Sequence, residues 1–294
     1  MIKNNKQYYR AYNNIDIINI SINFENISFK IDEKFISSDD IESVWFRKGG
    51  VNIVELANDI KTDDNADFTA AINQNHKQES KFLIEFICIL LEKKKKLGTF
   101  HRYAYNKLNV LRLANSAGLK IPLSSVISNK KELIDNCRFN KSIISKSISE
   151  SFSYISDIQI IKSFTEIVDI SNLPIKFASS LVQECIDKEY EVRSFYINKK
   201  FYSMAVFTIE NLDETIDIRK NSIKKIHVPY SLPKNYEDKL RQLMTLLKLD
   251  TASIDIIKSK DGNLYFLEAN PAGIFDDVSY YCNYYIEKLI ADYF

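Results

Sequence analysis

The chain has 294 residues, more than one average domain, so two or three modules with cores of their own are expected. Its 45% hydrophobic and 27% charged content is that of an ordinary soluble protein, and a net charge of +1 argues against a dedicated nucleic-acid binder. The longest apolar run, "FLIEFICILL" at 82–91, is broken by Glu85 and too short to span a bilayer, which argues against a membrane protein. Cys88, Cys137, Cys185 and Cys282 are dispersed without metal-type spacing, and no signal peptide precedes the first strand-like segment. A reducing cytoplasm is the expected compartment.

Residues 1–105 alternate β-type runs ("DIINISINF", "ISFKI", "SVWFRKGG") with a helix predicted at 79–97, a small α/β module. Phe82, Leu83, Phe86, Ile87, Leu90 and Leu91 recur at helical spacing and predict its buried face, with "EKKKK" at 92–96 as its solvated end. Trp45 and Arg47 are candidates for an edge of that module facing a substrate, with core packing as the alternative for Trp45. "NKLNVLRLANSAGLKIP" then reads as a helix capped by Asn106 and ended by Gly118, with Leu108, Leu111, Ala114 and Ala117 on one face. The strand "LSSVIS", a short helix near 130–136, the strand "SIISKSI" and a Ser-rich segment at 147–156 complete a compact second module, 106–180. In the third, 181–294, "SSLVQECI" is a strand and "DKEY" a polar break. A long hairpin, "EVRSFYINKKFYSMAVFTIE", turns at Asn198, and an amphipathic helix follows at 235–248. One last helix, "SYYCNYYIEKLIADYF", closes the chain.

The most informative stretch lies before that helix. "SIDIIKSKDGNLYFLEAN" holds two β-type runs around Asp261-Gly262, a two-residue hairpin signal. Taking that dipeptide as the loop pairs Lys260 with Asn263 and sets Asp255 opposite Glu268, with Asn270 on the same face as Glu268. Opposed carboxylates about 4.5–5.5 Å apart at Cβ repel unless a proton or a cation intervenes. Hard oxygens from Asp, Glu and Asn suit Mg²⁺, which takes one or two carboxylates and leaves its other positions to water and phosphates. A solvated hairpin with two surface acids is the alternative.

The order of these pieces resembles the ATP-grasp ligases: a lysine opening a helix that ends in Gly-Leu-x-Ile-Pro, a second lysine on a strand before a loop, a "QE" strand, an acid-x-Arg hairpin, and Asp followed by Glu-x-Asn. Within that superfamily the chain is similar to ligases that glutamylate ribosomal protein, and more so to graspetide synthetases of the microviridin-ligase kind. "SVWFRKGG" and "NPAGIFDDVSYYCNYYIEKLIA" look like the grasp-with-spasm peptide maturases of that group. The implied fold is an α/β (α+β) ATP-grasp architecture. It has a pre-ATP-grasp domain at 1–105, a central subdomain at 106–180 and a C-terminal antiparallel-sheet subdomain with the metal site at 181–294.

The resemblance implies that Lys107 and Lys146 hold ATP phosphates. Gln183, Glu184, Cys185 and Ile186 meet the adenine, and Glu191 takes the ribose hydroxyls. Asp255, Glu268 and Asn270 bind Mg²⁺, and Arg193 and Arg219 point at the transferred phosphoryl group. His76, His101 and His227 are read as surface or satisfied residues rather than bases. The segment "SKSISESFSY" departs from many ATP-grasp enzymes in having no glycine, a departure that graspetide synthetases share. The implied reaction activates Asp or Glu side chains of a ribosomal precursor peptide as acyl phosphates. Thr, Ser or Lys side chains then close ω-ester or ω-amide macrocycles, the enzyme grips a leader segment, and dimerisation is suggested. The apolar hairpin at 191–210 (Phe195, Tyr196, Phe201, Tyr202, Phe207) is a candidate leader surface, with core packing as its alternative. Rival readings are a ligase that adds free amino acids, and a nucleotide-binding module without catalysis.

Overall fold

The computed structural model describes residues 8, 14–21, 26–31, 34–47, 52–53, 66–99, 106–135, 142–149, 153–155, 160–162, 165–208 and 225–294. In chain order the first elements are β1 (Asn14–Ser21), β2 (Asn26–Ile31), β3 (Lys34–Ser37), β4 (Ser43–Trp45), β5 (Asn52–Ile53), α1 (Ala66–Leu91) and β6 (Lys95–Leu97). Then come α2 (Lys107–Ser116), β7 (Ser124–Asn129), α3 (Lys130–Asp135), β8 (Ile143–Lys146), β9 (Ser153–Ile155), β10 (Ile160–Lys162), β11 (Glu166–Ile167) and β12 (Lys176–Glu184). The last are β13 (Lys188–Ile197), β14 (Lys200–Thr208), β15 (Lys225–Tyr230), α4 (Lys234–Leu246), β16 (Thr251–Ser259), β17 (Leu264–Asn270), α5 (Asp276–Cys282) and α6 (Ile286–Tyr293). The chain divides into two compact units, residues 1–100 with 287–294, and residues 101–286.

In the first unit a sheet of order β3-β2-β1-β5 buries Ile27, Ile31 and Ile36 with Ile87 and Leu90 of α1. That helix starts well before residue 79 and stops at Leu91. The basic run is not its end: Lys95–Leu97 forms a strand parallel to β4, where Trp45 pairs with Leu97. Pairing with β4 satisfies the backbone that further helix would have satisfied internally, and Glu92 takes Lys96 as its ion partner at 3.2 Å. The expected apolar face is only partly buried, because Phe82 is 68% exposed and Leu83 39%. The guanidinium of Arg47 lies over the Trp45 ring at 5.1 Å.

Among the described residues the second unit holds three antiparallel sheets, β11-β8-β12-β7, β15-β14-β13-β16-β17 and the small pair β10-β9. Val192 and Tyr196 of β13, Ala252, Ile254 and Ile256 of β16, and Phe266 and Ala269 of β17 form one core with Val110, Leu111 and Ala114 of α2 and Leu240, Leu243 and Met244 of α4. These helices cover one face of the five-stranded sheet, and α5 packs on the other over β13, β14 and β15. Asn106 caps α2 by accepting from Asn109 N at 3.0 Å, and Gly118 follows the helix at φ 75°, as the sequence predicts. The hairpin of β13 and β14 turns at Asn198-Lys199, both at positive φ. The polar break before β13 is shorter than expected, because Lys188 already belongs to the strand.

The closing segment is two helices rather than one. Asn283 and Tyr285 both adopt positive φ between α5 and α6, and from Glu287 onward the chain belongs to the first unit. There Tyr293 Oη donates to Lys96 O at 2.7 Å, and Lys95 Nζ lies 5.0 Å from the centroid of the Tyr293 ring. Cys88, Cys185 and Cys282 form no disulfide among the described residues, and no described helix is long and apolar enough to cross a membrane.

Candidate functional site

Cross-strand register builds a row of charge across the open face of the large sheet: Met204 pairs with Arg193, Arg193 with Asp255, and Asp255 with Glu268. The neighbouring row carries Phe195, Ser253 and Asn270, and the row on the other side carries His227, Val206, Glu191 and Ile257. All three rows lie on the face opposite the helices, because side chains alternate along each strand.

The opposition of Asp255 and Glu268 is as the sequence predicts, but it arises differently. The hairpin loop has three residues, 260–262, with Ser259 N donating to Asn263 O at 2.9 Å and only Gly262 at positive φ. This shifts the register by one near the turn, so Lys258 faces Leu264 and Ile256 faces Phe266. An extra residue, Leu267, then bulges out of β17 and shifts the register back, so that Asp255 meets Glu268. The bulge allows Phe266 to be fully buried under the helices while Glu268, two residues on, faces the charged row.

Asp255 keeps 42% of its side chain exposed, yet the protein packed around it pushes its carboxyl up to about 6. Loss of hydration is the largest cause; Arg193 opposes it, Glu268 and Glu191 add to it, and Lys146 opposes it. Arg193 Nε lies 4.0 Å from Asp255 Oδ1, an ion-pair separation beyond hydrogen-bond reach, and one of its terminal nitrogens lies 3.9 Å from Asp277 Oδ2 of α5. Arg193 Nε is buried without a hydrogen-bond partner among the described residues, a donor that an incoming oxyanion would satisfy.

The loop after β17 is tied to the same strand. Asn270 Oδ1 accepts from Ala272 N at 3.0 Å, Gly273 N donates to Asn270 O at 3.1 Å, and Ser253 Oγ donates to Ile274 O at 2.8 Å. A Cβ on Gly273 would overlap Ser253 and come within 2.6 Å of its Oγ, so close approach explains this glycine. Sequence reasoning missed Ser253; its signal is a small polar residue two positions before Asp255 on the same face.

The remaining candidates line the second sheet and the hinge. Lys107 opens α2 and donates to Ser147 O at 3.4 Å, which brings it beside the segment that follows Lys146. Lys146 lines an open cleft of about 390 Å³ with Ser145, Ser147, Ile148 and Ser149. Gln183 is buried, with its amide donating to Ser124 Oγ at 2.8 Å, a strut within the sheet rather than a lining group. The Glu184 carboxylate accepts from Leu123 N at 3.0 Å, and Cys185 N donates to Ser142 O at 2.8 Å. Ile186 makes no backbone hydrogen bond in the 185–187 hinge among the described residues and offers its N–H there. Glu191 is paired with Lys188 at 2.7 Å, both largely buried; Lys188 is a second residue that sequence reasoning missed, hidden in the expected polar break. Arg219 and His101 lie outside the described residues.

The hairpin aromatics are divided between two cores. Tyr196 packs on Phe201 beneath α4, while Phe195 meets Phe275 and Tyr202 meets Tyr284 on the opposite face. Among the described residues no cluster of three or more His, Cys, Asp or Glu forms a self-sufficient metal site. Two carboxylates and an amide are a partial shell, suited to a hard cation whose remaining positions a substrate would fill.

No family model and no curated protein matches the chain. Solved structures do. The chain is 24% identical to the macrocyclase MdnC of Microcystis aeruginosa MRC, bound with precursor peptide MdnA, over 95% of this chain and 86% of that one (TM-score 0.75). It is 24% identical to a RiPP-associated ATP-grasp ligase of Chryseobacterium gregarium in complex with ADP and a leader and core peptide, over 91% and 80% (TM-score 0.73). It is 17% identical to the ATP-grasp ligase PsnB complexed with minimal precursor, Mg and ADP, over 88% and 82% (TM-score 0.62). The expected mixed α/β architecture is therefore present: this chain has the ATP-grasp fold.

Proposed function

We propose that this chain is an ATP-dependent carboxylate ligase acting on a ribosomal precursor peptide. It forms ADP and phosphate and closes ω-ester or ω-amide rings between Asp or Glu side chains and Thr, Ser or Lys side chains. The observation that carries the reading is the row Arg193–Asp255–Glu268, laid across the open face of a sheet in an ATP-grasp fold. The solved structures of like fold include complexes with nucleotide, Mg and precursor peptide, which supports ATP, Mg²⁺ and a leader-bearing peptide as the ligands here. A pre-ATP-grasp domain at 1–105 with subdomains at 106–180 and 181–294, a cytoplasmic location and a homodimer belong to the same reading.

The donor set fits the metal. Asp255, Glu268 and Asn270 would hold Mg²⁺, because their opposed carboxylates need a positive partner, and among the described residues Arg193 meets Asp255 only at the limit of ion-pair distance. When bound, Mg²⁺ neutralises charge on the phosphates. Lys107 and Lys146 would bind phosphate oxygens, the Ile186 N–H and the hinge backbone the adenine, and Glu191, oriented by Lys188, the ribose. Arg193, with its unfilled Nε–H, would orient the oxyanion that receives or loses the phosphoryl group, and Arg219 would assist.

The test is intact mass of the precursor peptide encoded beside this chain after incubation with enzyme, ATP and Mg²⁺. Loss of one water per ring, dependent on ATP and reduced about 100-fold or more by Glu268→Ala, is expected. Gain of an amino-acid mass would establish the rival ligase instead, and an unchanged peptide with nucleotide bound would leave a binding module.

A further inference from the structure

The charged face has a second wall. Helix α5 presents Asp277 and Tyr281, four residues apart and therefore on one helical face, toward β13 and β15. Asp277 meets Arg193 at 3.9 Å, and Tyr281 stacks on His227 with centroids 4.1 Å apart and planes 7° from parallel. Through Val206, His227 shares a row with Glu191, next to the row of Arg193 and Asp255. Stacking fixes the plane of the imidazole and leaves its edge open: neither ring nitrogen is hydrogen-bonded among the described residues. The sequence reads His227 as a surface or satisfied residue; in the structure it is a half-buried, stacked ring without a hydrogen bond among the described residues, on the face proposed for the chemistry.

Resting on the ligase reading, we propose that His227, held in plane by Tyr281, is the proton acceptor of the second, ring-closing step. In that step the nucleophile's lone pair forms a bond to the acyl carbon. The bond from that carbon to the phosphate oxygen breaks, and its electron pair leaves with inorganic phosphate. The proton lost by the nucleophile passes to the neutral imidazole and from there to water. A hydroxyl nucleophile needs this help most, because it is a weak nucleophile until its proton is taken. Burial holds His227 below its ordinary value; Asp277 opposes that, while Lys225 and Arg193 reinforce it, which favours the neutral ring that can accept a proton.

Hydroxylamine separates the two half-reactions, since it captures an acyl phosphate without a protein base. Wild type and His227→Gln are each incubated with ATP, Mg²⁺ and the precursor peptide, with and without hydroxylamine, and hydroxamates and rings are counted by mass. The proposal expects His227→Gln to form ATP-dependent hydroxamate within about twofold of wild type while ring closure falls about 100-fold or more. Ring closure within about threefold of wild type, or parallel loss of hydroxamate and rings, would overturn it. Absence of both products in wild type would instead refute the ligase reading.

Discussion

Asp255 shows how much one residue's environment matters. As a carboxylate opposite Glu268 it opposes folding, because crowding and like charge raise its folded pKa to about 6 from the ordinary 3.8. A raised folded value means that the favourable contribution is complete below the unfolded pKa and is lost as pH rises through about 6. Asp255→Asn, which cannot ionise, should therefore melt higher than wild type by a few degrees at pH 7.5 with chelator present, and the gap should close by pH 4. Thermal melts across that range check it, and a gap that does not vary with pH would refute the cause. Arg193 is the complement, a half-buried cation whose nearest carboxylates among the described residues sit at the limit of ion-pair range and leave its buried Nε–H unfilled. Such incomplete pairing is costly in a resting protein and useful where an anion arrives.

At the scale of elements, the β17 bulge and the loop behind it hold the metal candidates in place. Leu267 restores the register, Ser253 ties Ile274 to β16, and Gly273 lets the two backbones approach. Gly273→Ala should cost about 1–3 kcal/mol by overpacking against Ser253. It should also weaken Mg²⁺-dependent nucleotide binding, because Asn270 turns on the same loop; urea unfolding and nucleotide titration would measure both. Unaltered stability would show that the loop can shift without cost. The split between α5 and α6 has a local cause as well. Asn283 accepts the left-handed conformation that ends α5, as asparagine does more readily than most residues, and Ile286 N finds Ser279 Oγ at 2.9 Å.

For the whole molecule, the C-terminal residues 287–294 belong to the N-terminal unit although the chain between them builds the other one. Ile290 is fully buried, and Tyr293 bonds to β6. Ending the chain at Ile286 should therefore lower hydrogen-exchange protection in β4, β6 and the end of α1 while amides of β13 and β16 keep theirs. Uniform loss of protection in both units would contradict this division. The sequence by itself determined the elements whose signals are local: the caps of α2, the Asn198 turn, and the acid, amide and arginine on alternating strands. Only the tertiary structure decided what depends on distant backbone. It ended α1 early by offering Lys95–Leu97 a strand partner, inserted the Leu267 bulge so that Phe266 and Glu268 face opposite ways, brought His227 to the row beside that of Arg193, and set Asp277 at ion-pair distance from Arg193. Periodicity reports which side of an element is apolar, whereas register and bulges are set by the partner strand, and a charge acquires its role from neighbours remote in sequence.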